Sequence, residues 1–167
     1  IGIFSGLIAD PDLDVFVYRR DTLVVVTPAG HSLGTDGTVA FNEFSQHDLV
    51  GLQKGNTLQA FIEKRAVEQG LELKTRVEVL SFDGVRRMVE AGLGIAILPL
   101  GVVEPHLTSS DLRMIPVSDA WAERTLKVAV RDAKFLAKPI RTLMAYLTSE
   151  FKDTTSTGIG NSDGPAL

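Results

Sequence analysis

The chain has 167 residues, of which 44% are hydrophobic and 23% charged, and these proportions are typical of a globular protein. They exclude a disordered, collagen-like or coiled-coil chain, and the length suits one ordinary domain or two small lobes. Seventeen basic residues against 21 acidic ones give a formal charge of -4, so binding of DNA by net charge is not expected. Cysteine is absent, which excludes disulfides, thiolate metal sites and cysteine nucleophiles.

The first part of the chain predicts strands and a loop. Ile1–Phe4 is apolar in the way that the interior of a buried strand is, so we expect residues that belong to the fold to precede it. Residues 14–18 and 22–27 are rich in Val, Phe and Leu and predict two strands or one long bent strand. Glycine and proline between residues 28 and 37 then predict a loop.

A strand–helix unit follows a short helix predicted around residues 41–46. Residues 49–52 form a brief apolar strand, and Asn56 is the predicted cap of the next helix. Gln59 completes a capping-box-like pair with Asn56, and Gly70 is the natural end of the helix. Its buried face is predicted from the apolar residues at helical spacing, which are Leu58, Phe61, Ile62 and Ala66.

A second strand–helix unit begins with alternating polar and apolar residues at positions 75–80, a pattern typical of a strand. Ser81 opens the next helix, which we expect to end at Gly92 before a buried strand at residues 95–98. Arg86 and Arg87 are expected on the solvated face of this helix, and contact with a neighbouring subunit is the alternative.

The last part of the chain predicts two more strands and a helix. The strands are residues 112–117 and 125–130, and Pro139 lies in the first turn of the helix. The inner face of this helix is predicted to comprise Ile140, Leu143, Met144, Leu147 and Phe151. Strands that alternate with helices predict an α/β fold with a largely parallel sheet.

Motifs for catalysis or metal binding are absent from the sequence. The three histidines, His31, His47 and His106, are scattered and lack a metal-site spacing with carboxylates, so we predict surface or turn roles for them. Gly92 and Gly94 follow a helix and precede a strand, which is the reverse of a dinucleotide-binding loop, so helix termination and close helix–sheet packing explain them better. The longest apolar run, residues 93–103, is too short to cross a bilayer, so no membrane contact is expected.

Two places have the makings of a small-molecule site. Gly55, Asn56 and Thr57 place free backbone N–H groups and short polar side chains at a helix N-terminus, just beyond a strand. A carboxylate could bind there, or Asn56 could only cap its own helix. Ser81 and Phe82 occupy the same position in the next unit, so both loops should open at one edge of the sheet, although Phe82 taken alone is better explained as core.

Two longer stretches form a distinctive pair. They are residues 23–33, LVVVTPAGHSL, and residues 79–99, VLSFDGVRRMVEAGLGIAILP. They resemble the effector-binding (substrate-binding) domain of LysR-type transcriptional regulators. The match continues through residues 112–117, Trp121 and residues 126–131 into the final helix, and it covers nearly everything up to about Phe151.

The resemblance implies an α/β fold of the type 2 periplasmic-binding-protein-like kind, with two lobes, crossover strands between them and an inducer in the cleft. Residues 1–23 and 125–151 would form a partial first lobe with the crossover strands, and residues 24–124 the second lobe. Residues 152–167 are expected to be a loose tail. The start of the first lobe and the helix-turn-helix domain would lie upstream of Ile1, so this chain is not expected to bind operator DNA alone.

The function implied by the resemblance is small-molecule sensing by a cytoplasmic homodimer or homotetramer that binds DNA only through its helix-turn-helix domain. A carboxylate is one candidate effector, and sugars or amino acids would also fit. Ser5 and Gly6 would face the cleft, as would Gly55–Thr57 and Ser81–Phe82; no catalytic residue, metal or cofactor is implied. The alternatives are a solute-binding protein for transport and, ranked below it, an enzyme on a similar scaffold.

Overall fold

The computed structural model describes residues 1–6, 10–109 and 111–155. The chain divides into two compact units, each with its own hydrophobic core. Unit 1 comprises residues 1–20 and the chain from residue 124 onward, and unit 2 comprises residues 21–123. Within the described ranges, no helix is long and apolar enough to cross a membrane.

Seven strands and five α-helices occupy the described residues. The strands are β1 (Gly2–Ser5), β2 (Asp14–Pro28), β3 (Leu49–Leu52), β4 (Thr75–Val79), β5 (Ala96–Pro99), β6 (Leu112–Pro116) and β7 (Glu123–Val130). The helices are α1 (Phe41–Phe44), α2 (Thr57–Glu68), α3 (Phe82–Glu90), α4 (Leu100–Val103) and α5 (Lys138–Thr155), and two 3-10 helices cover Glu104–Ser109 and Ala120–Ala122. The two apolar stretches near the start are therefore one continuous strand, β2.

Unit 1 contains strands in the order β1–β7–β2 and the helix α5. β1 and β7 are antiparallel, with Ile3 opposite Val128. Val128, Val130 and Met144 form the buried core of this unit. β1 is a strand as predicted, but its side chains are not buried in this chain, since Ile3 is 53% exposed.

The inner face of α5 is narrower than the sequence predicted. Ile140, Met144 and Leu147 pack in the core of unit 1 at spacings of four and three residues. Leu143, three residues after Ile140, is 45% exposed and lies at the solvated margin of this face. The side chain of Phe151 and residues 156–167, most of the predicted tail, lie outside what the structure describes, and the helix itself continues to residue 155.

Unit 2 contains the larger core. β2 pairs antiparallel with β5 along one edge and with β6 along the other, while β3 and β4 form a parallel pair. β3 also meets β5 through a parallel bridge between Leu49 and Ile95. The largest fully buried side chains are Phe41, Phe44, Leu23, Ile95, Leu98 and Ile115.

The prediction of a largely parallel sheet is wrong for unit 2. Among its described residues, parallel pairing is confined to β3–β4 and two isolated bridges, Val39–Val117 and Leu49–Ile95. Parallel neighbours need a crossover connection, which α2 supplies between β3 and β4. β2 runs antiparallel to both β5 and β6.

The two glycines after α3 have different structural roles. Gly92 has a φ of +78° and stops the helix in the left-handed conformation, as predicted. Gly94 has a φ of +151°, and a β-carbon there would lie 2.5 Å from the carbonyl oxygen of Asp48. The same oxygen accepts the N–H of Ile95 at 3.0 Å. The close approach is therefore to a backbone carbonyl before β3, not the helix–sheet packing that the sequence suggested.

Alanine substitutions should separate these two roles. Gly92→Ala places its β-carbon in open space and costs only the strain of a left-handed backbone, about 1–2 kcal/mol of unfolding free energy. Gly94→Ala adds a collision with the Asp48 carbonyl, so we expect a clearly larger loss. Urea unfolding followed by the fluorescence of Trp121, the single tryptophan, measures both losses, and equal values would contradict this assignment.

Candidate functional site

The two loops predicted to bind ligand leave the same end of the β3–β4 pair. The strands are parallel with Leu52 opposite Val79, and the N–H of Gln53 donates to the Val79 carbonyl at 3.0 Å. Gly55–Thr57 follow β3, and Ser81–Phe82 follow β4. Neighbouring strands lie about 4.8 Å apart, so the N-termini of α2 and α3 both open here. We call this region the β3–β4 edge.

Asn56 is the N-cap of α2. Its Oδ1 accepts the N–H of Leu58 at 2.9 Å and that of Gln59 at 3.4 Å. Of the three N–H groups in the first turn, this cap leaves only that of Thr57 for another acceptor. An approaching anion would meet the Thr57 N–H and the positive end of the helix dipole instead of a full set of free donors. Asn56 therefore caps its own helix, which was one of the two roles predicted for it.

Ser81 caps α3 in the same way. Its Oγ accepts the N–H of Gly84 at 3.1 Å, and the side chain is exposed at the β3–β4 edge. Phe82 is half-buried and packs against the core of unit 2, the role that the sequence favoured for it in isolation. The polar contribution of this loop thus comes from Ser81 and from the first N–H groups of α3.

Arg86 does not lie on a solvated helix face, contrary to the prediction. Its side chain is 9% exposed, and its guanidinium group contacts Asp83 at 2.9 Å and Glu90 at 3.3 Å. Carboxylates one turn before and one turn after the arginine explain how this charge is accommodated in a buried position. Arg87 is 66% exposed and bonds Asp83 at 3.0 Å. Hydrogen bonds from Arg86 and then Arg87 hold the pKa of Asp83 below its usual range.

The different burial of the two arginines predicts different costs of removal. Arg86→Ala removes a buried aliphatic stem and hydrogen bonds to two carboxylates, so we expect a loss of about 1–3 kcal/mol in unfolding free energy. Arg87→Ala is the matched control, because an exposed ion pair contributes only about 0–1 kcal/mol. Urea unfolding of both variants measures these losses, and a control as destabilised as Arg86→Ala would contradict the role given to burial.

Ser5 and Gly6 lie in unit 1, whereas the residues of the β3–β4 edge lie in unit 2. Ser5 ends β1, opposite Leu126 of β7, and is half-buried. Gly6 is exposed, and its carbonyl oxygen accepts a hydrogen bond from Lys127 Nζ at 3.2 Å. Within unit 1, the end of β1 thus presents a hydroxyl beside a backbone carbonyl that a lysine already contacts.

Two histidines that are far apart in the sequence lie together in unit 2. The ring centroids of His31 and His47 are 5.1 Å apart in an edge-to-face arrangement. His31 Nδ1 accepts the N–H of Leu33 at 3.1 Å, and Arg113 Nη2 donates to the His31 carbonyl at 2.8 Å. Burial, followed by the electrostatic interactions with His47 and Arg113, lowers the pKa of His31. Periodicity carries no signal for this pair, because only the tertiary fold joins the two segments.

Acid should therefore weaken the folded state through His31. Its pKa is lower when folded, so the unfolded chain binds more protons, and stability falls as the pH drops from about 6.5. His31→Asn keeps an acceptor for the Leu33 N–H without titrating, and its unfolding midpoint should fall less between about pH 7.5 and pH 5.5 than that of the wild type. His106→Asn at an exposed position is the control, and identical pH profiles for all three proteins would refute the assignment.

Gln59 lies near the site, and the role that the sequence analysis predicted for it is wrong. Its side chain is not paired with Asn56 in a capping box, because Oε1 accepts the N–H of Leu52 at 3.1 Å and Nε2 donates to Glu63 at 3.0 Å. The residue is 6% exposed and lies on the buried side of α2. The sequence carries no signal for this role, because a polar residue next to Leu58 is ordinary at the margin of an amphipathic helix.

Solved structures show which class of fold this is. The regulatory domain of CcmR from Synechocystis PCC6803, in complex with 2-PG, matches with a TM-score of 0.75 at 19% identity and covers 90% of this chain and 73% of that one. The effector-binding domain of QuiR in complex with shikimate has a TM-score of 0.75 at 16% identity and covers 90% and 71%. The predicted type 2 periplasmic-binding-protein-like α/β fold is confirmed.

The family follows from the sequence as a whole. The family model described as the LysR substrate binding domain matches residues 1–152, so the chain belongs to this family and the predicted resemblance is confirmed. A probable RuBisCO transcriptional regulator of Emiliania huxleyi is 22% identical over 132 residues, which are 77% of this chain and 42% of that protein. The chain spans less than half the length of the first relatives that it matches. The family is one of transcriptional regulators, which are not enzymes.

Proposed function

We propose that this domain senses a small organic anion at the β3–β4 edge and does so as part of a LysR-type regulator that binds DNA through a helix-turn-helix domain. The observation that carries the proposal is the meeting of two capped helix N-termini at the ends of parallel strands. Such ends are where ligands bind in open α/β sheets. The ligands named for the two matched structures, 2-PG and shikimate, are organic acids and support the same chemistry.

The start of α2 is the better anchor for an anion. Its first turn contains no acidic residue, and Thr57 contributes an N–H group outside the cap and a hydroxyl on an exposed side chain. Lys54 is exposed in the same loop and adds positive charge. The first turn of α3 contains Asp83, which already binds Arg86 and Arg87, so these arginines are engaged and do not offer a free positive charge to an anion. Ser81 contributes a neutral hydroxyl, so it fits a second contact to a polar part of the ligand.

Regulation requires the ligand to bind one arrangement of the protein better than another. β2 and β7 carry the chain between the two units. Ser5 and Gly6 are the proposed contacts of unit 1, and the family resemblance is their support. The regulator acts in the cytoplasm as a homodimer or homotetramer and uses no metal or cofactor; the relatives named above give the transport alternative no support.

Thermal unfolding of the chain with 2-phosphoglycolate (2-PG), shikimate and benzoate, the effector in a matched structure of the BenM effector-binding domain, tests the sensing function. At least one of these acids should raise the unfolding midpoint, since a ligand at 100 times its Kd adds about 2.7 kcal/mol of stability. Asn56→Asp should keep the cap, because a carboxylate accepts the same N–H groups, but it should abolish the rise by placing negative charge at the anchor.

Lys64→Gln is the matched control, because it makes the same change in net charge on the exposed face of α2. This variant should keep the ligand-induced rise. Two outcomes would contradict the proposal: no acid stabilises the wild type, or Asn56→Asp responds as the wild type does. A stabilising acid that leaves promoter binding of the longer regulator unchanged would favour transport over regulation.

A further inference from the structure

β3 loses its backbone partner on the β5 side before the strand ends. The N–H of Val50 donates to the Ile95 carbonyl at 2.8 Å, and backbone N–H groups two residues apart along a strand point to the same side. The N–H of Leu52 therefore also points toward the β5 side, where it donates to the side chain of Gln59. The amide oxygen of Gln59 thus takes the place of a carbonyl oxygen from a neighbouring strand. It does so at the last residue of β3, just before the loop of residues 53–57.

Several features of the surrounding residues fit the side chain of Gln59. Gly51 has no side chain, and a β-carbon there would lie 3.0 Å from Gln59 Oε1. The cavity beside Gln59 measures about 20 Å³ and is lined mainly by apolar side chains, with Thr75 as its other polar side chain. Glu63 accepts from Gln59 Nε2 at 3.0 Å, which orients the amide so that its oxygen faces Leu52. Leaving the Leu52 N–H buried without this acceptor would be costly.

We propose that Gln59 is the positioning residue of the β3–β4 edge: its buried amide ties the end of β3 to the first turn of α2 and so fixes the loop of residues 53–57. The bond closes a ring from Leu52 to Gln59, with the loop inside it. This inference rests on the proposed function, because the loop that Gln59 fixes contains the residues proposed to contact the anion. Gln59 touches no ligand in this assignment and acts through the backbone.

Hydrogen exchange measured by NMR tests the positioning directly. The exchange rate of the Leu52 amide is divided by that of the Val50 amide, which has a backbone partner in the same strand. A global loss of stability raises both rates and leaves the ratio unchanged, whereas loss of the Gln59 bond raises the ratio. In Gln59→Glu at neutral pH, the new carboxylate is repelled by the carboxylate of Glu63 and turns away from the Leu52 N–H, so the ratio should rise by about tenfold.

Two rescues distinguish this role from a general packing role. In acid, the protonated carboxyl group of the Gln59→Glu variant has nearly the same shape as the amide and also offers one donor and one acceptor, so the ratio should return toward the wild-type value. At neutral pH, Gln59→Glu combined with Glu63→Gln should also restore it, because the carboxylate then accepts from both Leu52 and the new amide. Glu63→Gln alone keeps an acceptor for Nε2 and should change the ratio little. An unchanged ratio in Gln59→Glu, or a double variant as impaired as the single one, would overturn the proposal.

A separate measurement with 2-phosphoglycolate, shikimate and benzoate connects the positioning to binding. If one of these acids binds the wild type, Gln59→Glu should weaken it at least about threefold, and the double variant should recover the affinity. Unchanged affinity in Gln59→Glu would overturn the link to the site. If none of the acids binds the wild type, the proposed function fails for them, and the exchange ratio still decides whether Gln59 positions the loop.

Discussion

The architecture of unit 2 depends on the backbone contact between the entry to β3 and the entry to β5. The carbonyl of Asp48 accepts the Ile95 N–H, and the carbonyl of Ile95 accepts the Val50 N–H at 2.8 Å. Both bonds require the chain at Gly94 to pass against the Asp48 oxygen, where no β-carbon fits. This contact holds β3 beside β5 while β4 pairs with its other edge. The position of the loop of residues 53–57 follows from it, because this loop is the continuation of β3.

Charge divides the β3–β4 edge into two unlike halves. α2 begins with neutral side chains, so its dipole faces solvent without a competing carboxylate. α3 begins with Asp83, and hydrogen bonds from Arg86 and then Arg87 lower the pKa of this carboxylate. The buried Arg86 therefore has a structural partner on its own helix. An anion proposed to bind at this edge would be attracted to α2 and would meet the Ser81 hydroxyl on the α3 side, where both arginines are already bound to carboxylates.

The same fold binds different small molecules, so the fold alone does not specify the effector. The matched structures hold 2-PG in one case and shikimate in the other, on folds that align with this chain at a TM-score of 0.75. Specificity must come from side chains on the loops, since the strand ends are common to the architecture. In this chain, the caps Asn56 and Ser81 already use their oxygen atoms as acceptors, which leaves Thr57 and the O–H donor of Ser81 as the distinctive polar groups.

Local chemistry let the sequence alone determine the strand–helix units, the caps Asn56 and Ser81, the helix stop at Gly92 and, through its motifs, the family. These features depend on residues close together in the chain: a cap needs only the next turn, and a glycine stop needs only its own φ. The misassignments have the opposite cause. The antiparallel pairing of β2, the burial of Arg86 and the His31–His47 pair were outside the reach of periodicity. Gln59 shows the limit best, because its amide satisfies the N–H of Leu52, seven residues away across a loop. Only the tertiary structure decides which buried backbone group lacks a partner, and therefore which side chain must supply one.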